Sequence, residues 1–389
     1  MSVVVSQQSW LGRIRESFKS FLVGFALFIA AFPVLFLNEG RAVRTEKSLK
    51  EGQGAVVTVP SDRVDSANDQ KLVHLSGPAA TEETLSDPEF GIAANAIKLR
   101  RKVEMYQWQE KKESTTEKRS GGSTETKTTY SYSKGWSDAL ADSSSFNEAT
   151  GHENPSSIPY QNREEVAQKV TVGAFNLTPS LISMMDEFES VPVDDQAATL
   201  PEALKAQIKV HDGSYYLGAE PQTPQVGDVR IAFAAVKPAD VSVVSKQVGN
   251  TFEAYHAGAG MDIEMLKRGV HTAKDMFESA LAQNTMLTWI LRAVGFVMMF
   301  LGLVMFFRPL SVLGDVVPFI GSMLAFGTGI FALAISGALS VATIAVAWVV
   351  YRPVLGILLL SVAIAAMVAL VMTGRKRAAS LKTAPASAS

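Results

Sequence analysis

Residues 21–41 read FLVGFALFIAAFPVLFLNEGR: an uncharged apolar run to Leu37, closed by Asn38-Glu39-Gly40-Arg41 and preceded by Arg13, Arg15 and Lys19. Counted from Phe18 the run covers residues 18–37, close to the ~20 residues that a ~30 Å hydrocarbon core requires. A cleaved signal peptide carries a shorter apolar region, about 7–15 residues, and a small-residue exit. This run leaves through Val34-Leu35-Phe36-Leu37, so it reads as a membrane span. Everything else in the sequence is arranged around that reading.

The 389-residue chain is 47% hydrophobic and 19% charged, against roughly 25% charged in ordinary soluble domains. Residues 38–285 hold 26 Lys/Arg and 36 Asp/Glu, and the remaining residues hold 10 and 2. An overall net charge of −2 excludes a generally basic nucleic-acid binder. With no cysteine, a disulfide scaffold, a thiolate metal site and a cysteine nucleophile are excluded together.

Met286–Phe307 is a second apolar run, with Trp289 and Arg292 near its start. Arg292 reads as a snorkelling side chain, or as a buried charge lining a path. Val316–Val350 has no charge over 35 residues, too long for one span and too short for two. Pro318 suggests a break, so 308–324 is expected as a cytoplasmic loop with an interfacial or re-entrant segment, and 325–350 as the third span. Tyr351-Arg352-Pro353 then turns the chain into a fourth span at 354–372. Basic residues in the tails 1–17 and 373–389 place both termini in the cytoplasm, which requires an even number of spans. The expected architecture is an α+β membrane protein: four transmembrane helices at 18–37, 286–307, 325–350 and 354–372, with a large β-rich extracytoplasmic domain at 38–285 between the first two. Gly327, Gly329, Ser336, Gly337, Ala338, Ser340, Ala342 and Ala345 give the third span a surface of small residues, either a packing interface or ordinary tolerance for small residues in membranes.

Within 38–285, Ile97–Trp108 alternates Ile97, Leu99, Arg101, Val103 and Met105 against Lys98, Arg100, Lys102, Glu104 and Tyr106, the period of a strand with one dry face. Residues 113–134 contain 11 Ser/Thr. Gly121-Gly122 followed by Tyr130 and Tyr132 favours a long hairpin over a disordered loop. Further strands are expected at Glu165–Phe175, Ile208–Leu217 and Val226–Val236. Helices are expected at Pro179–Phe188, capped by Thr178, and at Asp262–Leu281.

Chemistry is harder to find. His74, His152, His211, His256 and His271 are scattered, and no nucleophile elbow, phosphate loop or metal spacing occurs. Adjacent carboxylates such as Glu82-Glu83, Glu164-Glu165 and Asp194-Asp195 read as solvated surface, because strand neighbours point to opposite faces. Gly151-His152-Glu153-Asn154-Pro155-Ser156 is the most distinctive polar cluster, a structured turn or a ligand pocket. No reaction is named by these patterns, no cofactor is expected, and the chain is read as a non-enzyme.

Several short motifs in order are similar to the LUMA (transmembrane protein 43) family: Asn38-Glu39-Gly40-Arg41-Ala42; Val103-Glu104-Met105-Tyr106-Gln107-Trp108; Tyr130 and Tyr132 with Trp136; Gly151-His152 with Asn154-Pro155-Ser156; Val226-Gly227-Asp228-Val229-Arg230; Thr288-Trp289 with Leu291-Arg292; and Tyr351-Arg352-Pro353. The resemblance implies four spans and one large lumenal or external domain, with no catalytic residues to carry over. Animal members are associated with the endoplasmic reticulum and inner nuclear membrane as scaffolds that self-associate. A chain without cysteine and with a short basic tail fits a bacterial member, whose membrane would be the plasma (inner) membrane. The expected function is a multi-pass membrane scaffold or organiser, homo-oligomeric, with membrane lipids and other membrane proteins as partners. A lipid or small-ligand binding module is the alternative, and a channel or transporter ranks last. The aromatics Tyr106, Trp108, Tyr130, Tyr132 and Trp136 either anchor a partner or brace the hairpin.

Overall fold

The longest uncharged stretches fold as helices and the alternating ones as strands, in a computed structural model that describes residues 2–193, 200–358 and 361. Among these residues the α-helices include α1 (Trp10–Ala55), α2 (Pro179–Ser183), α3 (Glu202–Lys205), α4 (Ala273–Gly314) and α5 (Pro318–Tyr351). The chain divides into a helical unit, residues 9–47, 119–123 and 282 onward, and a β-rich unit, residues 2–8, 48–118 and 124–281.

In the helical unit, Ser17, Gly24, Ala31, Asn38 and Thr45 recur every seven residues of α1, interleaved with Phe21, Phe28, Leu35 and Ala42. A seven-residue repeat keeps one seam of a helix against its partner. Small residues on that seam let the backbones touch. A Cβ on Gly302 of α4 would lie 2.7 Å from the Phe28 nitrogen and 2.9 Å from the Gly24 carbonyl oxygen, and one on Gly295 would enter the Leu35 side chain. The two helices therefore run antiparallel. Ala31, Leu35 and Met299 form the buried centre, with Leu339 and Ile344 of α5 packed against it.

Among the described residues, three helices are long and apolar enough to cross a membrane: Trp10–Ala55, Ala273–Gly314 and Phe319–Tyr351. The expected loop at 308–324 is mostly helical instead. α4 continues through Pro309 to Gly314, and α5 starts at Pro318 rather than near residue 325. The physical reason is that proline at the first helical position lacks only an N–H that would have had no intrahelical partner. Residues 353–358 are helical. Most of the expected fourth span and the tail at 373–389 lie outside the described residues, as does the Asp194-Asp195 pair.

The β-rich unit contains two large sheets. The first carries, in order, β1 (Ser2–Gln8), β4 (Thr124–Ser137), β3 (Lys98–Lys118), β6 (Val229–Val236), β5 (Ser214–Leu217) and the strand Ile208–His211. The second is built on β2 (Leu72–Ala80) and β7 (Ala239–Val248). Leu99, Val103, Met105, Ile231 and Phe233 of the first sheet and Val73, Leu75, Val241 and Val243 of the second share one core with Phe90. The dry face expected of the long strand is the buried one, and β3 extends ten residues beyond Trp108 to pair with β4 as the expected hairpin. Its tip uses Gly121 and Gly122 at φ +83° and +79°, conformations that glycine adopts without strain.

Several expectations change: the helix expected at Pro179–Phe188 ends at Ser183, and the single strand expected at Ile208–Leu217 is two, Ile208–His211 and Ser214–Leu217, paired with each other. Residues 2–8, placed in a tail, form β1, with Ser2 opposite Tyr130 and Gln8 opposite Thr124. The helix expected from Asp262 begins only at Ala273, because Met265–Arg268 pairs with β7 and Gly269 turns the chain at φ +90°. Thr272 then caps α4, its hydroxyl accepting from the Asp275 N–H at 3.1 Å.

Candidate functional site

Three motifs that are remote in sequence meet in the helical unit. Glu39, with a side chain 2% exposed, receives two hydrogen bonds from Arg292: Nε to Oε1 at 2.6 Å and Nη2 to Oε2 at 2.9 Å. The Trp348 indole N–H donates to the same Oε2 at 2.8 Å. The Arg292 guanidinium lies 4.6 Å from the Trp289 ring centre and 5.8 Å from that of Trp348. Arg292 is thus held as a forked ion pair between aromatic faces, not as the snorkelling side chain expected from its position. One turn away, Arg41 donates to Asn284 Oδ1 at 2.9 Å, Thr288 Oγ1 at 3.1 Å and Asn38 Oδ1 at 3.2 Å. Asn38 in turn donates to the Thr288 carbonyl at 3.1 Å.

Gly40 belongs to this knot because of what stands beside it. A Cβ there would lie 2.5 Å from the Tyr351 ring. Arg352 closes the group through Glu46 at 2.5 Å, and Pro353 opens the helical residues 353–358. A second buried pair lies toward the other end of α1: Arg13 meets Asp315, 1% exposed, at 2.5 Å and also donates to the Gly122 carbonyl at 2.5 Å. Trp10 donates to the Val312 carbonyl at 3.0 Å. From Arg13 to Glu39 the helix rises by about 39 Å at ~1.5 Å per residue, close to the ~40–45 Å of a bilayer with its headgroups. The two ion pairs bracket the apolar part of the bundle.

The remaining motif residues sit on the outward face of the first sheet. Across β3 and β4, Tyr106 faces Trp136, Trp108 faces Lys134, and Lys112 faces Tyr130. Part of this face braces a loop. Asn154 bonds both backbone groups of Trp108, accepting from its N–H at 2.7 Å and donating to its carbonyl at 3.0 Å. His152 stacks on Tyr132 at 3.8 Å and meets Trp108 edge-on at 4.7 Å. Pro155 rests on Gly227. The cluster at 151–156 is therefore a pinned turn, and the Gly151 N–H holds the Glu153 carboxyl below the usual range.

The other part of the face stays half-exposed: Tyr106 and Trp136 are 5.3 Å apart, and Arg230 lies 4.7 Å over Trp136 while pairing with Glu104 at 2.6 Å. Burial works against the Glu104 charge, but hydrogen bonds from Arg230 and Lys102 outweigh it and hold the carboxyl below its usual range. Tyr216, beneath this patch, donates to Asp228 at 2.5 Å; burial first, and then that carboxylate, push its hydroxyl far above the tyrosine range. Ala338 is exposed, whereas Ser336 and Ser340 on the same helix are buried, so the small residues of α5 divide between two faces. Among the described residues, no three His, Asp or Glu side chains are grouped to hold a metal.

Sequence reading singled out Glu39 and Arg292 separately and did not pair them. It missed Asn284, Thr288 as a ligand of Arg41, and Trp348. The available signal was the seven-residue repeat of α1, on which Asn38 is the one strongly polar member in the apolar half.

A profile of the family described as transmembrane protein 43 matches residues 105–353. Human transmembrane protein 43 is 34% identical over 370 residues, covering 92% of this chain and 91% of the human one. The mouse protein is 34% identical over 358 residues, 89% and 88% of the two chains. A Drosophila melanogaster homologue is 32% identical over 356 residues, 89% and 93%. No solved structure matches. With long apolar helices joined to a β-rich unit, and similarity along nine-tenths of its length to these relatives, the chain belongs to the transmembrane protein 43 family.

Proposed function

We propose that this protein is a non-enzymatic scaffold of its membrane, self-associating and holding protein or lipid partners through its β-rich unit. One observation carries the reading: the family motifs at 38–41, 288–292 and 351–352 converge on a knot whose hydrogen bonds tie helix to helix. Such a site fixes architecture rather than transforming a substrate. The half-exposed Trp136, Tyr106 and Arg230 supply the contact surface, since tryptophan, tyrosine and arginine dominate the energetic centres of interfaces. The test is cross-linking of the full chain in native membranes. Trp136→Ala with Arg230→Ala should abolish cross-links to self and partners while the chain still folds, as read by circular dichroism. Retained cross-links, or a turnover by the purified wild type, would overturn the reading.

The sidedness that accompanies this role follows from the basic tails: both termini cytoplasmic, residues 38–285 across the membrane, and four spans. Strand β1 makes the opposite demand on residues 2–8, because a paired strand shares the side of its partner. The cysteine-free chain allows a direct decision. Lys127→Cys should react with an impermeant maleimide in intact cells, and Ser6→Cys and Lys382→Cys should not. Joint labelling at 6 and 127 would show that the β1 pairing persists in the membrane and that α1 does not separate the two segments.

A further inference from the structure

Among the described residues, each partly buried arginine in the helical unit has a carboxylate at ion-pair distance, with one exception. Arg13 has Asp315, Arg292 has Glu39 and Arg352 has Glu46. Arg41 bonds only neutral oxygens, those of Asn38, Asn284 and Thr288, and its Nε–H is buried and unpartnered. Glu39 acts on Arg41 only through space, its oxygens being hydrogen-bonded to Arg292 and Trp348. The three neutral acceptors orient the guanidinium without neutralising it, and Glu39 is already paired with Arg292, so Arg41 has no counter-charge of its own, which is costly for a partly desolvated charge. Arg41 lies four residues beyond Leu37, about 6 Å along the helix, which is headgroup depth. Arg44 and Lys47, one and two turns further on, are exposed, and neither forms an ion pair among the described residues.

We propose that Arg41, with Arg44 and Lys47, seats the headgroup of one anionic phospholipid, whose phosphodiester supplies the missing counter-charge. Guanidinium and phosphate are matched in charge and in hydrogen-bonding capacity, and juxtamembrane basic residues favour anionic lipid. The site is independent of the scaffold reading, since it concerns the lipid around the helices and not the partner of the β-rich unit.

The full chain in phosphatidylcholine vesicles, doped with spin-labelled phosphatidylglycerol or spin-labelled phosphatidylcholine, provides the measurement. The motionally restricted fraction of each label reports its residence on the protein. Wild type should enrich phosphatidylglycerol about fivefold over phosphatidylcholine. Arg41→Gln, checked for folding by circular dichroism, should remove most of that preference. No enrichment by wild type, or full enrichment by folded Arg41→Gln, overturns the proposal. Should Arg41→Gln fail to fold, the exposed pair Arg44→Gln with Lys47→Gln takes its place: a loss of at least about half the enrichment supports the site, and none refutes it. Displacement of the labelled phosphatidylglycerol by inorganic phosphate in place of chloride would assign the site to soluble phosphate and refute the headgroup assignment.

Discussion

The two units of this chain place their charges by opposite rules. In the helical unit, ion pairs join residues far apart in sequence, Arg13 with Asp315 and Glu39 with Arg292, and the carboxylates are 1–2% exposed. In the β-rich unit most pairs are local or cross-strand and lie in water: Arg100 with Glu164 at 48% and 36% exposure, Lys111 with Glu113 at 74% and 67%. Arg101, buried with Asp87 at 3.0 Å, and Glu104, 15% exposed in its pair with Arg230, depart from that rule. The difference follows from the solvent. Water screens and solvates an exposed ion, so such a pair contributes little. Hydrocarbon does neither, so a charge near the bilayer needs a counter-charge, from the protein or from a lipid headgroup.

Breaking a pair in each unit tests this contrast most strongly. Glu39→Ala leaves Arg292 buried without a counter-charge and should cost about 3–5 kcal/mol, read as a lower unfolding midpoint of the full chain in detergent. Glu113→Ala, on the exposed hairpin, should leave that midpoint unchanged. A similar response from both would show that the knot is solvated. Next in size is the helix contact. Gly302→Leu forces a side chain into the Phe28 backbone and should cost about 1–3 kcal/mol or more, with helices that no longer associate. Gly327→Leu, where nothing lies within 4 Å of an added Cβ, is its control and should be tolerated.

A smaller effect, confined to the β-rich unit, comes with pH. His74 is 4% exposed, its ring Nε2 is 2.9 Å from the His271 carbonyl, and its Nδ1 faces the Thr58 hydroxyl. Burial holds its pKa below the ordinary histidine value, outweighing the opposing effect of the hydrogen bond to His271. The unfolded chain therefore binds the proton first as pH falls. Stability is full above the unfolded value near ~6.5 and is lost as pH drops through the lower folded value, by at most about 1.4 kcal/mol per pH unit. Melting at pH 7.5 and pH 5 should differ in wild type and differ less in His74→Gln. Equal pH sensitivity of the two would remove His74 as the cause. Least of all, Thr116→Ala, which loses an exposed hydroxyl contact with Thr126, should shift stability by no more than about 0.5 kcal/mol.

Much of the fold is legible one segment at a time, because local periodicity reports local environment. The buried Leu99, Val103 and Met105 alternate in sequence as they do in the sheet. Thr178 followed by Pro179 announces α2, whose cap accepts from the Leu181 N–H at 3.3 Å. The helix expected from Asp262 fails for an equally specific reason. Leu266 and Val270 match a helical face by spacing alone, but strand pairing with β7 outweighs that spacing for 265–268. Pro318 likewise marks a boundary correctly and leaves its sense open, since proline both ends one helix and starts another.

By itself the sequence determined that the long apolar runs are helices, the dry face of the long strand, the hairpin and the family, all of which depend on composition or on neighbours within a few residues. Only the tertiary structure decided which charges meet. Glu39, Arg292 and Trp348 are remote along the chain, and each alone is compatible with snorkelling, with a solvated loop or with an ordinary membrane-interface aromatic. Packing α1 against α4 and α5 makes them one site. Helix geometry, not sequence proximity, sets that register: the seven-residue repeat of small residues brings the backbones into contact, and the polar side chains flanking that seam then have no water to turn to and must pair with one another.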